Sequence, residues 1–307
     1  MTAVLVAEQC LNGLQLGVML FLMAAGLTLV FGIMNLVNLA HGSLYMVGAY
    51  LSVAFLEMTG SFLAAVALAL PATLVVGMLV EVIALRSLYE RDHLDQVLAT
   101  FGLILFFNEG VSIVWGRAAL FTSVPPALGG FVEILPGIRY PVYRATIILV
   151  GLAVALGLAL VVSRTRVGML VRAGASNRTM VAALGVNVRL LYTVVFGVGA
   201  ALAGLGGLMA GPIYTVQPGM GEEILILVFV VIVIGGIGSI RGAVVGAIVV
   251  GMVDTLGRAF LKPVLATVLS PPAADSAGPA LASMLIYILM AAVLYFRPQG
   301  LFPAVRG

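Results

Sequence analysis

Residues 9–56 read QCLNGLQLGVMLFLMAAGLTLVFGIMNLVNLAHGSLYMVGAYLSVAFL, without one Asp, Glu, Lys or Arg. A helix that crosses the hydrocarbon core of a bilayer needs roughly 20 mostly apolar residues. This run is therefore too long for one span and long enough for two, expected near 11–32 and 43–57. The connection between them, Gly32-Ile-Met-Asn35-Leu-Val-Asn38-Leu-Ala-His41-Gly42-Ser43, carries glycines and hydrogen-bonding side chains but no charge to mark it as a solvated loop. It reads as a broken or re-entrant segment near 32–43, because irregular backbone at membrane depth survives only where protein or a water-filled cavity surrounds it.

Outward from this stretch the whole chain has the same character. Of 307 residues, 63% are apolar and 9% charged, and the mean hydropathy is +1.23, whereas a soluble domain carries roughly 25% charged residues. The expected fold class is all-α, a polytopic integral membrane protein forming one domain over 1–307, with about eight or nine transmembrane helices. Further spans are expected at about 61–84, 94–115, 144–163, 191–211, 224–240, 242–260 and 281–296. The start, Met1-Thr2-Ala3, lacks the basic region and cleavage site of a removable signal peptide, so the first apolar run is expected to stay in the membrane. One cysteine (Cys10), two histidines (His41, His93) and one lysine (Lys262) leave no disulfide framework and no metal cluster of ordinary spacing. Cys10 reads as an apolar filler at a helix start. The formal charge of +3 is too small to suggest nucleic acid.

The segment 164–190 holds Arg164, Arg166, Arg172, Arg178 and Arg189 and no acidic residue. The positive-inside rule makes it cytoplasmic, and counting spans from it puts 85–93 and the tail with Arg297 and Arg306 on the same side. Within it, Ser176 to Leu184 reads as a short helix, with Ser176 as N-cap and Gly185 ending it in the left-handed conformation. About 12 Å long, with small residues Ala182, Ala183 and Gly185, it suits a peg seated in a partner's groove; an ordinary basic loop against lipid headgroups is the other reading.

Three acidic residues fall inside expected spans, where ionisable groups are functional candidates. Glu81 stands at the cytoplasmic end of its helix, within reach of water, and reads as structural. Asp254 has Arg258 four residues on, which makes an internal ion pair more natural than a proton relay. Glu109, beside Asn108, has no cation nearer than Arg117 and is the candidate for a polar contact between helices or within the path. His41, with no second metal ligand nearby, suits a hydrogen-bonding role in the broken segment, where Asn35 and Asn38 could satisfy freed backbone groups. Gly235, Gly236 and Gly238 fall where a span must end and turn back, which suggests a functional bend, while Gly197, Gly199, Gly204, Gly206 and Gly207 suit close helix packing. Residues 29–50 are faintly echoed at 229–247, as an internal repeat or as chance between glycine-rich segments.

Arg172-Ala173 followed by Ala182-Ala183-Leu184-Gly185-Val186-Asn187 resembles the coupling loop of the branched-chain amino acid ABC-transporter permeases of LivH type. So do Gly26-Leu-Thr-Leu-Val-Phe-Gly32, Asn38 with Ala40-His41-Gly42, Tyr45-Met-Val-Gly-Ala-Tyr50, and Gly235-Gly236-Ile-Gly238-Ser-Ile-Arg-Gly-Ala-Val-Val-Gly246. Together these cover about residues 10–302. Ser43 stands where many members carry an acidic residue, and Arg241 where proline is common. The resemblance implies an inner-membrane permease that pairs with a second related permease, engages two cytoplasmic ATPases through 164–190, and takes branched-chain or similar amino acids from a periplasmic binding protein. Ser176 and the helix after it would transmit the ATPase movement. The only lysine precedes Pro263, so no phosphate loop of the G-x-x-x-x-G-K-[ST] kind exists here. The chain is then not an enzyme and carries no cofactor, with ATP bound by its partners. An ion-coupled secondary transporter and an ABC permease for amides or urea stand as alternatives. Gly174-Ala-Ser176-Asn-Arg178 only partly matches a nucleophile elbow and has no nearby histidine.

Overall fold

The computed structural model describes residues 3–302 except Val37. Its helices are α1 (Ala3–Met34), α2 (His41–Thr59), α3 (Phe62–Val80), α4 (His93–Trp115), α5 (Val142–Arg164), α6 (Arg166–Ser176), α7 (Arg178–Ala183), α8 (Val188–Ala210), α9 (Met220–Gly235), α10 (Ile240–Leu265) and α11 (Pro271–Phe296). Seven of them, α1, α3, α4, α5, α8, α10 and α11, are long and apolar enough to cross a membrane. α1 and α8 are largely enclosed by protein, whereas α4, α5 and α11 turn most of their apolar surface outward, as lipid-facing helices do.

Small residues decide how the centre is built. Lipid supplies no hydrophobic drive between helices, so close backbone approach carries the packing. α2 crosses α8 where Gly48 meets Gly204; a Cβ on Gly48 would stand 2.3 Å from the Gly204 Cα. Tyr50, Phe196, Leu20, Leu22 and Met23 are fully buried around this crossing.

α1 runs antiparallel to α10, with Gly13 beside Met252, Gly17 beside Ala247 and Gly32 beside Gly238. The segments 86–92 and 164–190, the turn 236–239 and the residues after Phe296 therefore share one end, the basic end, while 116–141, 211–219 and 266–270 share the other. Arg306, Met1 and Thr2 lie outside the described residues.

Several boundaries differ from the sequence reading. α1 begins at Ala3, so Glu8 lies inside the helix rather than before it. α9 begins at Met220, because Glu222 and Glu223 occupy its first turn, where carboxylates favour the helix dipole. α11 begins at Pro271, which leaves a connection of only 266–270, clamped by Lys262 on Asp275 at 2.8 Å. The all-α expectation misses an antiparallel hairpin, β1 (Phe131–Leu135) with β2 (Ile138–Pro141). The basic segment is two helices rather than a loop, α6 capped by Thr165 and α7 capped by Asn177. Ser176 is the last residue of α6 and caps nothing; the extended backbone at Asn177, φ −151, ψ 95, separates the helices and aims the Asn177 carboxamide at the Met180 amide. The echoed segments also differ: six residues, 35–40, part α1 from α2, but only four, 236–239, part α9 from α10.

Candidate translocation and coupling sites

The chain leaves α1 at Met34 and re-enters helix at His41. Asn35 is exposed, in the left-handed region at φ 51, and its amide still donates to the Phe31 carbonyl at 2.9 Å. His41 Nε2 donates to the Met23 carbonyl oxygen at 3.2 Å, eleven residues before the end of α1, or about 16 Å back along its axis. Residues 35–40 thus climb back into the bundle, and α2 starts well inside it. There the backbone of Gly42 meets that of Gly221 in the first turn of α9, where a Cβ on Gly42 would stand 2.3 Å from the Gly221 carbonyl oxygen. α9 itself has 16 residues, about 24 Å, which is short of a bilayer core of about 30 Å. Asn38 does not satisfy freed backbone groups as expected: it is fully buried and neither atom of its amide finds a partner among the described residues.

The N-terminus of α9 is held from outside the helix. Asn108 of α4 accepts from the Gly219 amide at 3.2 Å and donates to the Glu222 carboxylate. Its neighbour Glu109, the expected helix-to-helix contact, instead faces outward, with its side chain 64% exposed and paired to Arg117 at 3.1 Å. A 100° turn per residue puts adjacent helix positions on different faces, and here the amide takes the inner one.

Between α1, α5, α9 and α10, toward the end opposite the basic one, lies an open cavity of about 770 Å³. Asn12, Gln15, Tyr45, Arg144, Tyr214, Met220, Glu223 and Asp254 are on its walls. Asp254 is nearly buried and takes Arg258 Nε on both oxygens, at 3.0 and 2.9 Å, the internal ion pair read from the sequence.

At the basic end, Glu81 is completely buried, not solvated as expected. α3 widens to π geometry over Glu81–Leu85, and the carboxylate collects Arg86 at 2.8 Å, the Tyr89 hydroxyl at 2.8 Å and Thr193 of α8 at 2.7 Å. Burial, then the bond to Glu81, push the Tyr89 hydroxyl well above its ordinary value. Tyr89 also meets Tyr192 edge to face, with centroids 5.4 Å apart. A buried charge is tolerated when hydrogen bonds replace its water, and these three side chains tie α3 to the start of α8.

α7 stands beside that start. Val181 is buried, while Met180, Ala182, Ala183 and Leu184 are exposed, Leu184 to 76%. Gly185 takes φ +85; its amide donates to Ala182 and that of Val186 to Val181, the paired bonds that end a helix at a left-handed residue. Asn187 caps α8 through the Leu190 amide at 3.0 Å.

The description "Branched-chain amino acid transport system / permease component" belongs to the family model that matches residues 9–294. The chain belongs to this family. The permease is 31% identical to the high-affinity branched-chain amino acid transport system permease protein BraD of Pseudomonas aeruginosa, over 96% of this chain and 94% of that one. It is 30% identical to the permease protein LivH of Salmonella typhimurium, over 83% and 87%, and 28% identical to a probable LivH of Methanocaldococcus jannaschii, over 81% and 80%. No solved structure matches. The permease is thus a multi-pass membrane transport protein and not an enzyme.

In the permease the expected site residues fall into separate places. Ser176, Ala182, Ala183, Leu184 and Gly185 gather on the exposed face of α7 and its flanks; Arg172 is exposed and Ala173 half-buried on α6. Asn35, Asn38, His41 and Gly42 line the break, but Gly235, Gly236 and Gly238 form the tight α9–α10 turn at the basic end, where Gly236 and Gly300 are in backbone contact. Gly32, near the end of α1, faces Gly238, whose Cα would stand 3.7 Å from a Cβ on Gly32. Asn108, Arg144, Thr193 and Glu223 carry no signal in the linear sequence, since nothing there shows which face of a helix looks inward.

Proposed function

We propose that the permease is the membrane subunit of an ATP-driven importer of branched-chain or similar small hydrophobic amino acids in the inner membrane. It works with a second related permease, two cytoplasmic ATPases and a periplasmic binding protein, and all nine long helices, α2 and α9 included, lie within the bilayer. The supporting observation is the exposed apolar ridge of α7 at the basic end, continuous through Asn187 with α8. A basic, cytoplasmic end that presents Met180 and Leu184 to solvent is explained by a protein that covers them. Helix-in-groove docking is the mode such a ridge fits, with Ala182, Ala183 and Gly185 small enough for close approach and Arg172, Ala173, Ser176 and Asn187 around it.

In this reading, movement of a seated ATPase displaces α7 and with it the start of α8. The Glu81, Arg86 and Thr193 bonds make α3 follow. The break after Met34 opens from this same basic end, where the Tyr192 hydroxyl of α8 donates to the Ile33 carbonyl at 3.4 Å, so a rigid tilt of α8 and α3 reaches the path there. Asn35 and Asn38 supply the break between α1 and α2, His41 and Gly42 the first turn of α2, and Gly235, Gly236 and Gly238 supply the turn about which α9 and α10 move together. ATP is bound by the partner subunits.

The test is uptake of labelled leucine into proteoliposomes holding the whole complex, with loaded binding protein outside and ATP enclosed. Uptake that requires enclosed ATP supports the reading. Uptake driven by a proton or sodium gradient without ATP replaces it with a secondary transporter.

A further inference from the structure

The cavity of about 770 Å³ between α1, α5, α9 and α10 falls within the range of about 300–1,000 Å³ typical of small-molecule sites. Two charges on its walls are of opposite sign and lack an ionic partner. The four ion pairs among the described residues include neither Arg144 nor Glu223. Arg144 Nη1 donates to the neutral Asn12 carboxamide at 2.7 Å, which fixes the guanidinium while leaving its charge unspent. Asp254 and Arg258, by contrast, are paired with each other through Arg258 Nε. Arg144 is half-buried and Glu223 exposed, so both charges are open to a solute that enters the cavity. The remaining wall is apolar, with Leu16, Met220, Ile224 and Leu227.

We propose that this cavity is a way-station for the zwitterionic head of an aliphatic α-amino acid, with Arg144 receiving the carboxylate and Glu223 the ammonium group. One cation and one anion on a common cavity, beside an apolar surface, match that chemistry and no singly charged solute equally well. Arg144 offers the planar fork that binds a carboxylate through two parallel bonds, and Asn12 holds the fork in place. Leu16, Met220 and Leu227 cover the side chain. The assignment rests on the importer reading above and adds to it a recognition step in the permease itself.

The experiment uses the reconstituted complex with leucine-loaded binding protein and the variants Arg144→Gln, Glu223→Gln and Arg144→Lys. Each Gln variant is expected to lower maximal uptake about tenfold, the equivalent of one charge-assisted hydrogen bond. The half-saturating concentration of binding protein stays unchanged, and Arg144→Lys recovers part of the rate because it keeps the charge and loses the fork. Uptake by both Gln variants within about twofold of wild type overturns the proposal. A raised half-saturating concentration assigns the cavity to binding-protein docking, and loss of the second permease on purification assigns it to a subunit interface; either result overturns it too. Wild-type complex that imports no aliphatic amino acid overturns the importer's cargo and this assignment together, and is seen before any variant is made.

Discussion

The guanidinium of Arg86 closes on the carboxylate of Glu81 at 2.8 Å across a π-helical turn, and the same Nη2 reaches Thr193 on α8 at 2.8 Å. Glu81 is therefore the junction of α3, the 86–92 connection and α8. Glu81→Ala leaves a half-buried arginine fork, a tyrosine hydroxyl and a threonine hydroxyl without their acceptor, and is expected to destabilise the fold by about 1–3 kcal/mol. Glu81→Gln keeps an acceptor and should cost less. Thermal unfolding of the detergent-solubilised protein checks the ranking; equal melting of the alanine variant and wild type would show that the junction carries no stability.

The α2–α8 crossing permits no side chain at Gly48. Gly48→Val is expected to prevent correct assembly, because its Cβ meets the Gly204 backbone, which cannot move aside as a flexible side chain would. Gly102, in the middle of α4 with open space around its Cβ position, provides the contrast. Gly102→Ala should be neutral or stabilising by about 0.5–1 kcal/mol, through helix propensity. The yield of monodisperse protein, followed by melting, measures both.

Asn108 holds the start of α9 by accepting from Gly219 and donating to Glu222. Asn108→Ala strands a backbone donor and a carboxylate together, at a cost of about 1–3 kcal/mol. Glu109→Gln, one residue on, removes only an exposed pair and should change stability by no more than about 1 kcal/mol. Uptake and melting of the two variants side by side separate the inward position from the outward one; equal effects would contradict the facing described for α4.

Much of this architecture is visible in the sequence, and the reasons are local. The charge-free run before Glu57 fixes two helices and the break between them, since Asn35 to Ala40 cannot continue a span and also return. The arginines of 164–190 mark the basic end, and Gly185 marks the end of α7 because only a residue without a Cβ takes φ +85 there without strain. Side-chain facing is what linear reading lacks. Asn108 and Glu109 are equally polar neighbours, and only the bonds that Asn108 makes to Gly219 and Glu222 in the fold assign them opposite roles. Glu81 resembles a solvated helix end until Tyr89 and Thr193, eight and 112 residues away, close over it. Asn177 caps α7 where the sequence points to Ser176, because both residue types cap helices well and the choice depends on where α6 ends.

Leu184→Glu places a carboxylate on the exposed ridge where α7 is proposed to seat the ATPase. Leu184 is 76% exposed, so the fold should be unaffected. The measurement is the stoichiometry of proteins recovered with the tagged permease from its native membrane in mild detergent. Wild type is expected to bring both the ATPase and a second permease, and Leu184→Glu the second permease alone. Recovery of the ATPase with the variant in the wild-type ratio would show that the ATPase docks elsewhere than on α7.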